Sequence, residues 1–415
     1  MTRITALIEN TGQVLTCAKD APDLVGASKN TVVAISGDTI AATGTPEEIA
    51  AQFDLSEAER IDANGEMVMP GFVDCHTHLV FHKSRVEEYA QKVRGATADE
   101  VRAMGIPVGI SATARMMREA SKEQLFESAK ERLDYMLAFG TTTVESKSGY
   151  GLNTETEIKM LEVNQDLNEH HSIDIISTFL GAHEFPDDKD REAYIEEILT
   201  EMIPEVGRRK LAEFNDVYCD DGYYTVEESR KILEVGEQHG LKIKIHTDAY
   251  SHIGGSTLAA EMGAVSADHL NYTAPEEYAK LREAGVVGVV MPALDFAVGH
   301  TKPFNSRAML DAGVTLALAT DMCPGCWLES MPFVIQLACR LYKFSPAEAI
   351  RAGTLHAAMS VCREDSLGSL EPGKKADIAI FPYERYEDMA YRLGRGQASK
   401  VLKDGKVVYD AGAVS

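Results

Sequence analysis

The chain has 415 residues, 45% of them apolar and 26% charged, which is the balance of a globular protein with one large domain and room for a smaller satellite. Its formal net charge of −24 excludes a nucleic-acid role, because phosphates would be repelled rather than neutralised. No segment reaches the roughly 18–20 continuous apolar residues of a membrane span. The start, Met1-Thr2-Arg3-Ile4, lacks the basic and apolar run of a secretory signal, and seven scattered cysteines suit a reducing cytoplasm better than a disulfide framework.

The first 65 residues read as short strands. Ile4–Thr16 and Asn30–Ala42 are β-rich, with turns at Ser36-Gly37-Asp38 and Gly44-Thr45-Pro46. From there the pattern alternates between β-branched apolar runs and amphipathic helices. Candidate strands are Val68–Cys75, Thr141–Glu145, Ile173–Leu180, Asn215–Cys219, Lys242–His246, Ala264–His269, Val286–Met291 and Thr315–Ala319; among the helices between them are Lys122–Ala138, Glu155–Glu169 and Thr225–His239. Such alternation implies parallel strands with right-handed crossovers, and eight of them favour a closed (β/α)8 barrel over an open doubly wound sheet. The last 50 residues are β-rich again over Ser369–Pro382, with a hairpin in Val401–Asp410 around Asp404-Gly405, so the two ends are expected to pair into one small sheet domain.

Chemistry in such a barrel collects at the C-terminal ends of the strands. The first strand ends Asp74-Cys75-His76-Thr77-His78, and alternate residues of a strand share a face, so His76 and His78 both point into the mouth. Two imidazoles on one face are half of a zinc or iron site. The fifth strand ends at His246, the sixth at His269 and the eighth at Asp321. A single histidine is more often a hydrogen-bonded or surface residue; four of them with an aspartate, each at a strand's C-terminal end, are not a chance arrangement. His170, His171 and His239 fall on helices and read as surface residues. A catalytic metal keeps one position open for water and needs a proton acceptor nearby, and the spacing alone does not say whether His269 or Asp321 is that acceptor.

Pro70-Gly71-Phe72-Val73-Asp74-Cys75-His76-Thr77-His78 resembles the signature of the amidohydrolase superfamily, and Leu370-Glu371-Pro372-Gly373-Lys374-Lys375-Ala376-Asp377 resembles its C-terminal return into the sheet. More narrowly, the chain is similar to the imidazolonepropionases over nearly its whole length. This likeness is carried by His76–Phe81, by Glu145-Ser146-Lys147-Ser148-Gly149-Tyr150-Gly151-Leu152, by Thr178–His183, by Ser266–Leu270 and by Ala319-Thr320-Asp321. The resemblance implies a barrel over residues 67–365 and a composite β-sandwich from residues 1–66 and 366–415. It implies one divalent metal, zinc with iron as the alternative, held by His76, His78, His246 and Asp321. His269 and Asp321 would be the catalytic pair, and Arg85, Tyr150 and His183 match substrate-contacting positions. The fourth strand ends Tyr218-Cys219-Asp220 and lacks the lysine of the two-metal branch, so one metal is expected. Lys147 is expected to form an ion pair or orient a neighbour.

The departures from that pattern all fall where substrate would lie. Ala249 stands where the family has an acid or amide, Cys323 where it has Asn, Ala98 where it has a ring-contacting Tyr, and Gly105-Ile106-Pro107-Val108-Gly109 replaces a triple-glycine loop. Cys323, Gly325 and Cys326 of the Cys-Pro-Gly-Cys run are read as pocket lining rather than as a redox pair. The implied activity is hydrolysis of a five-membered cyclic amide, an imidazolone- or hydantoin-type ring bearing a carboxylate. A desulfhydrase acting on a thiohydantoin-type ring, or an aminohydrolase, is the alternative on the same scaffold. The expected partners are a small-molecule substrate and a second copy in a homodimer, with no nucleic acid and no membrane.

Overall fold

The computed structural model describes residues 2–302 and 304–413; Met1, Val414 and Ser415, at the ends of the expected sandwich, lie outside them. Eight strands run in sequence order around a parallel sheet: β1 (Phe72–Thr77), β2 (Thr141–Lys147), β3 (Asp174–Ala182), β4 (Phe214–Cys219), β5 (Lys242–Thr247), β6 (Ser266–His269), β7 (Val287–Val290) and β8 (Leu316–Leu318). The ring closes at its C-terminal rim. Asp321 N donates to His76 O (3.1 Å), His78 N donates to Met322 O (2.9 Å), and Thr77 bridges Met322 in parallel. The sequence alternation of strands and helices is thus the (β/α)8 architecture, and none of the described helices is long and apolar enough to cross a membrane.

Three of the barrel helices begin where a side chain satisfies free N–H groups. Ser121 and Gln124 form a capping box on the helix Lys122–Ala138, and Thr225 with Glu228 does the same for Val226–Gln238. Asn153 caps Thr154–His170 by accepting from Thr156 N.

The terminal segments form a six-stranded and a four-stranded sheet. Ile8, Val33, Ile35, Ile61, Val68, Ile378 and Leu402 belong to one buried apolar cluster. The hairpin at Asp404-Gly405 is present as Lys400–Lys403 against Lys406–Asp410. One expectation is corrected. The run Val68–Cys75 is two strands: Met67–Pro70 lies in the terminal sheet, antiparallel to Ile378–Phe381, and only Phe72 onward enters the barrel. The chain changes sheet at Gly71, whose N–H donates to Asp377 O (2.9 Å) while Phe72 N donates to Gly140 O (2.9 Å). A Cβ at position 71 would lie 2.4 Å from the Thr142 side chain, so the crossing is open only to glycine.

A buried cation joins the two parts. Lys403 Nζ donates to Asp174 at the foot of β3 (2.7 Å) and to Asp377 of the terminal sheet (2.6 Å). Removing one partner of a buried pair leaves uncompensated charge. Lys403→Met is therefore expected to lower stability by about 3 kcal/mol, read as a fall in the denaturation midpoint; an unchanged midpoint would contradict this role.

Candidate active site

Strand alternation delivers polar residues to the barrel axis in registers. Asp74, His76 and His78 share one face of β1 and its extension, Glu145 and Lys147 one face of β2, and Lys244 and His246 one face of β5; all are buried. Asp216 of β4 and Asp268 of β6 join them, and both are fully buried.

These groups form a layered network. At the bottom, Lys244 Nζ donates to Glu145 Oε2 (2.6 Å). Lys147 Nζ donates to Glu145 Oε1 (2.8 Å) and Asp216 Oδ2 (2.9 Å) and lies 3.4 Å from Asp268 Oδ2. Above them, Asp268 Oδ2 is 2.6 Å from His76 Nδ1, and Asp216 Oδ2 is 3.0 Å from His246 Nδ1 without hydrogen-bond alignment. The His76 contact places the proton on Nδ1 and leaves Nε2 bare. The Nε2 atoms of His76 and His246 and Nδ1 of His78 are all buried without a hydrogen-bond partner. One ring nitrogen from each of His76, His78 and His246 falls within 4.8 Å of the others, and His76, His269 and Asp321 form a second such group. Asp321 Oδ1 is 3.7 Å from His76 Nε2 and 3.8 Å from His78 Nε2. Buried imidazole nitrogens without partners are costly unless something accepts them; Nε2 of His76 and Nε2 of His246 have none, and Nε2 of His76 and Nε2 of His78 flank the Asp321 carboxylate. The donor set fits a divalent metal.

Electrostatics favour the neutral imidazoles that metal binding requires. Burial, helped by the Lys147 charge, holds His76 and His246 well below the ordinary histidine value, and burial with His183 nearby does so for His78. Burial also lowers His183 and His269 to about 4, and it raises Asp321 to about 7 despite the attraction of Lys147. Burial would neutralise Lys147, but Asp216, Glu145 and Asp268 override it and push its pKa well above the usual lysine value. Burial would likewise raise Asp268; Lys147 and Lys244 instead hold it below the usual carboxylate range.

The expected substrate residues gather around the same mouth. His183 stacks on His78 (4.7 Å between centroids, 7° between planes), and Tyr150 lies 5.2 Å from His78 and 5.3 Å from His183. The loop carrying Tyr150 is folded by buried Glu157, which accepts from the N–H groups of Gly149 (2.8 Å), Gly151 (2.6 Å) and Leu152 (3.1 Å). Arg85 precedes the helix Val86–Lys92 and lies against Gly325, where a Cβ would come 2.7 Å from its guanidinium. From there a cleft of about 410 Å³ opens outward, lined by Glu88, Tyr89, Lys92 and Phe296 as well as by Arg85 and Gly325.

Cys323 and Cys326 close a two-residue turn by reciprocal backbone hydrogen bonds (3.0 and 3.1 Å); both thiols are free and buried. Cys323 sits beside Tyr150, whereas the Cys326 sulfur lies 4.0 Å from Thr320 O, back towards β8. Ala249 is buried, and its carbonyl accepts from His300 Nε2 (2.8 Å). Ala98 opens a short surface helix, Ala98–Ala103. Gly109 N donates to Glu88 (3.2 Å), tying the 105–109 loop to the Arg85 helix.

Sequence spacing missed Asp216, Asp268, Lys244 and Asp74 as parts of the site. Asp74 accepts from Thr320 N (3.1 Å) and Thr320 Oγ1 (2.6 Å), fixing the turn that presents Asp321. Their available signal was the two-residue alternation: an ionisable residue two positions before a ligand histidine shares its face, as Asp74 and Lys244 do. Non-glycine residues with positive φ cluster at the rim as well, at Asp248 (54°), His269 (81°), Leu270 (64°) and Asp321 (49°), a conformation that surrounding structure must enforce.

Residues 67–408 match the model of the amidohydrolase family. The imidazolonepropionase of Geobacillus thermodenitrificans is 47% identical over 93% of this chain and 92% of its own length, and that of Geobacillus kaustophilus 46% over 94% and 92%. The imidazolonepropionase of Haloarcula marismortui is 41% identical over 91% and 89%. Among solved structures, a zinc-bound adenosine deaminase from Xanthomonas campestris superposes with a TM-score of 0.72 at 19% identity, covering 99% of this chain and 94% of that one. A zinc complex of atrazine chlorohydrolase from Arthrobacter aurescens gives 0.69 at 17%, covering 98% and 95%. At these identities the two structures speak to the fold alone.

Outer partners of ligand histidines typically contribute 10–100-fold to metal affinity. Asp268→Asn is expected to weaken divalent-metal binding by roughly that factor, measured by chelator competition; unchanged affinity would show that the 2.6 Å contact to His76 does not orient the ring.

Proposed function

We propose, on the premise that the chain belongs to the amidohydrolase family, that it is a metal-dependent hydrolase opening a five-membered cyclic amide, an imidazolone- or hydantoin-type ring with a carboxylate side chain. The observation that carries this is the grouping of ring nitrogens of His76, His78 and His246 beside Asp321, with Nε2 of His76 and His246 buried and unpartnered, and with Arg85 at the rim of the same mouth. Full-length relatives named imidazolonepropionase support ring opening over release of ammonia or sulfide.

His76, His78, His246 and Asp321 would hold one divalent ion; three nitrogens and a carboxylate oxygen suit zinc, and iron takes the same donors. Bound there, the ion would supply a Lewis acid for the ring carbonyl and an acidified water. Asp321 takes up the proton of the attacking water at a carboxylate oxygen. His269, neutral and close to His76 and His246, helps pass that proton to the leaving ring nitrogen. His183 and Tyr150 flank the ring; the neutral His183 donates its Nδ1–H to Gly149 O (3.1 Å), which leaves Nε2 as an acceptor for a ring N–H. The planar fork of Arg85 receives the carboxylate. The side chains at positions 249 and 323 offer a methyl and a thiol where a polar contact would select one ring, so ring choice is set by shape there.

The purified enzyme is expected to open imidazolone-5-propionate or hydantoin-5-propionate, followed as a change in ultraviolet absorbance and a product mass increased by one water. Release of ammonia or sulfide, or no turnover across this panel and its 2-thioxo analogue, would contradict the proposal. With metal content matched to wild type, Asp321→Asn is expected to lower kcat by about 10²–10⁴-fold; a near-wild-type rate would remove Asp321 from the proton path.

A further inference from the structure

Beneath the ligand imidazoles, the Lys147 ammonium occupies a place built like a cation site. Its Nζ is ringed by Glu145 Oε1 at 2.8 Å, Asp216 Oδ2 at 2.9 Å and Asp268 Oδ2 at 3.4 Å, and every one of these side chains is fully buried. Asp216, His246 and Asp268 present ligand atoms within 4.8 Å of one another, a hard-oxygen and imidazole set that suits zinc or a similar divalent ion. The Nδ1 of His246 is buried, lacks a hydrogen-bond partner and stands 3.0 Å from Asp216 Oδ2. His246 therefore turns Nε2 towards the mouth and Nδ1 towards this inner cluster; a second ion at Nδ1 would displace the ring proton to solvent and leave the ring as an imidazolate shared by the two ions.

Charge counting gives the inner cluster its meaning. Glu145, Asp216 and Asp268 set three carboxylates against the two ammonium groups of Lys147 and Lys244. Deleting Lys147 would leave three carboxylates facing one ammonium in a dry interior, and uncompensated buried charge is strongly unfavourable. A divalent cation repays that loss more fully than a proton. Asp216 would need to draw in by about 0.8 Å and Asp268 by about 1.3 Å to pass from ammonium to metal–oxygen distances.

We propose that Lys147 is an internal cation filling a latent second divalent-metal site formed by Asp216, Asp268 and Nδ1 of His246, and that it thereby holds the protein to one metal. This rests on the single-metal reading given under Proposed function. Lys147 is a positioning residue: it acts through Asp268, which orients His76, and through Asp216, which faces His246.

The test is metal stoichiometry. Full-length wild type, Lys147→Ala, Lys147→Arg and the double variant Lys147→Ala with Asp216→Asn are stripped with chelator and titrated with zinc or cobalt(II). Bound metal is read by elemental analysis and by the visible absorption of cobalt. Wild type and Lys147→Arg are expected to saturate at one equivalent. Lys147→Ala should saturate at two, with a second set of cobalt bands, and the double variant should return to one. If Lys147→Ala does not fold by circular dichroism, Lys147→Ser, which likewise removes the ammonium, carries the same expectation. A folded Lys147→Ala or Lys147→Ser that stops at one equivalent overturns the proposal, as does a wild type that takes two. A wild type that binds no metal defeats the primary site instead, so the two failures are told apart.

Discussion

Two lysines and three carboxylates share the dry interior of this barrel, and the site above them depends on how those charges are paired. Period-two alternation compels the arrangement: a strand that points His76 or His246 into the mouth also points Asp74 or Lys244 inward two residues earlier. Once inside, each charge needs a partner, because an isolated buried ion costs several kcal/mol. Lys147 and Lys244 bind Glu145, Asp216 and Asp268 into one block. The block then fixes the ring of His76 and sets an oxygen beside that of His246. The proposed metal centre would take its precision from this charge network on rigid strands rather than from loops.

The mouth obeys different rules. Barrel closure joins β1 to the turn after β8, so His76 and His78 meet Asp321 through backbone hydrogen bonds rather than by chance of side-chain reach. Asp74 secures the same seam through Thr320. Around that seam, Arg85, Tyr150, His183 and Cys323 come from four separate loops, each tied down locally by Glu157, Glu88 or the Cys323–Cys326 turn. Substrate preference can therefore change by substitution in the rim while the metal geometry stays intact.

Much of this was legible in the sequence because it is local. Helix starts are written in capping pairs such as Ser121 with Gln124, and the ligand histidines announce themselves by falling at strand ends. What escaped is long-range. Asp216 and Asp268 sit in strands whose apolar neighbours look ordinary, and their partners lie on other strands, so only the closed barrel reveals that they touch Lys147, His76 and His246. The sheet change at Gly71 was hidden for a steric reason: Met67–Val73 has no polar residue to mark a break, and the crossing depends on Thr142 packing where a Cβ would stand. Cys326 shows the limit of motif reading, since its spacing from Cys323 suggests a shared role but its sulfur faces the Thr320 carbonyl.

The central claim is that one divalent ion belongs among His76, His78, His246 and Asp321, above an inner position already filled by an ammonium. Anomalous diffraction at the zinc edge, from crystals of the metal-loaded protein, tests it most directly. One peak is predicted, about 2.0–2.2 Å from ring nitrogens of the three histidines and from an Asp321 oxygen. No peak there, or a peak between Asp216 and Asp268, would contradict it.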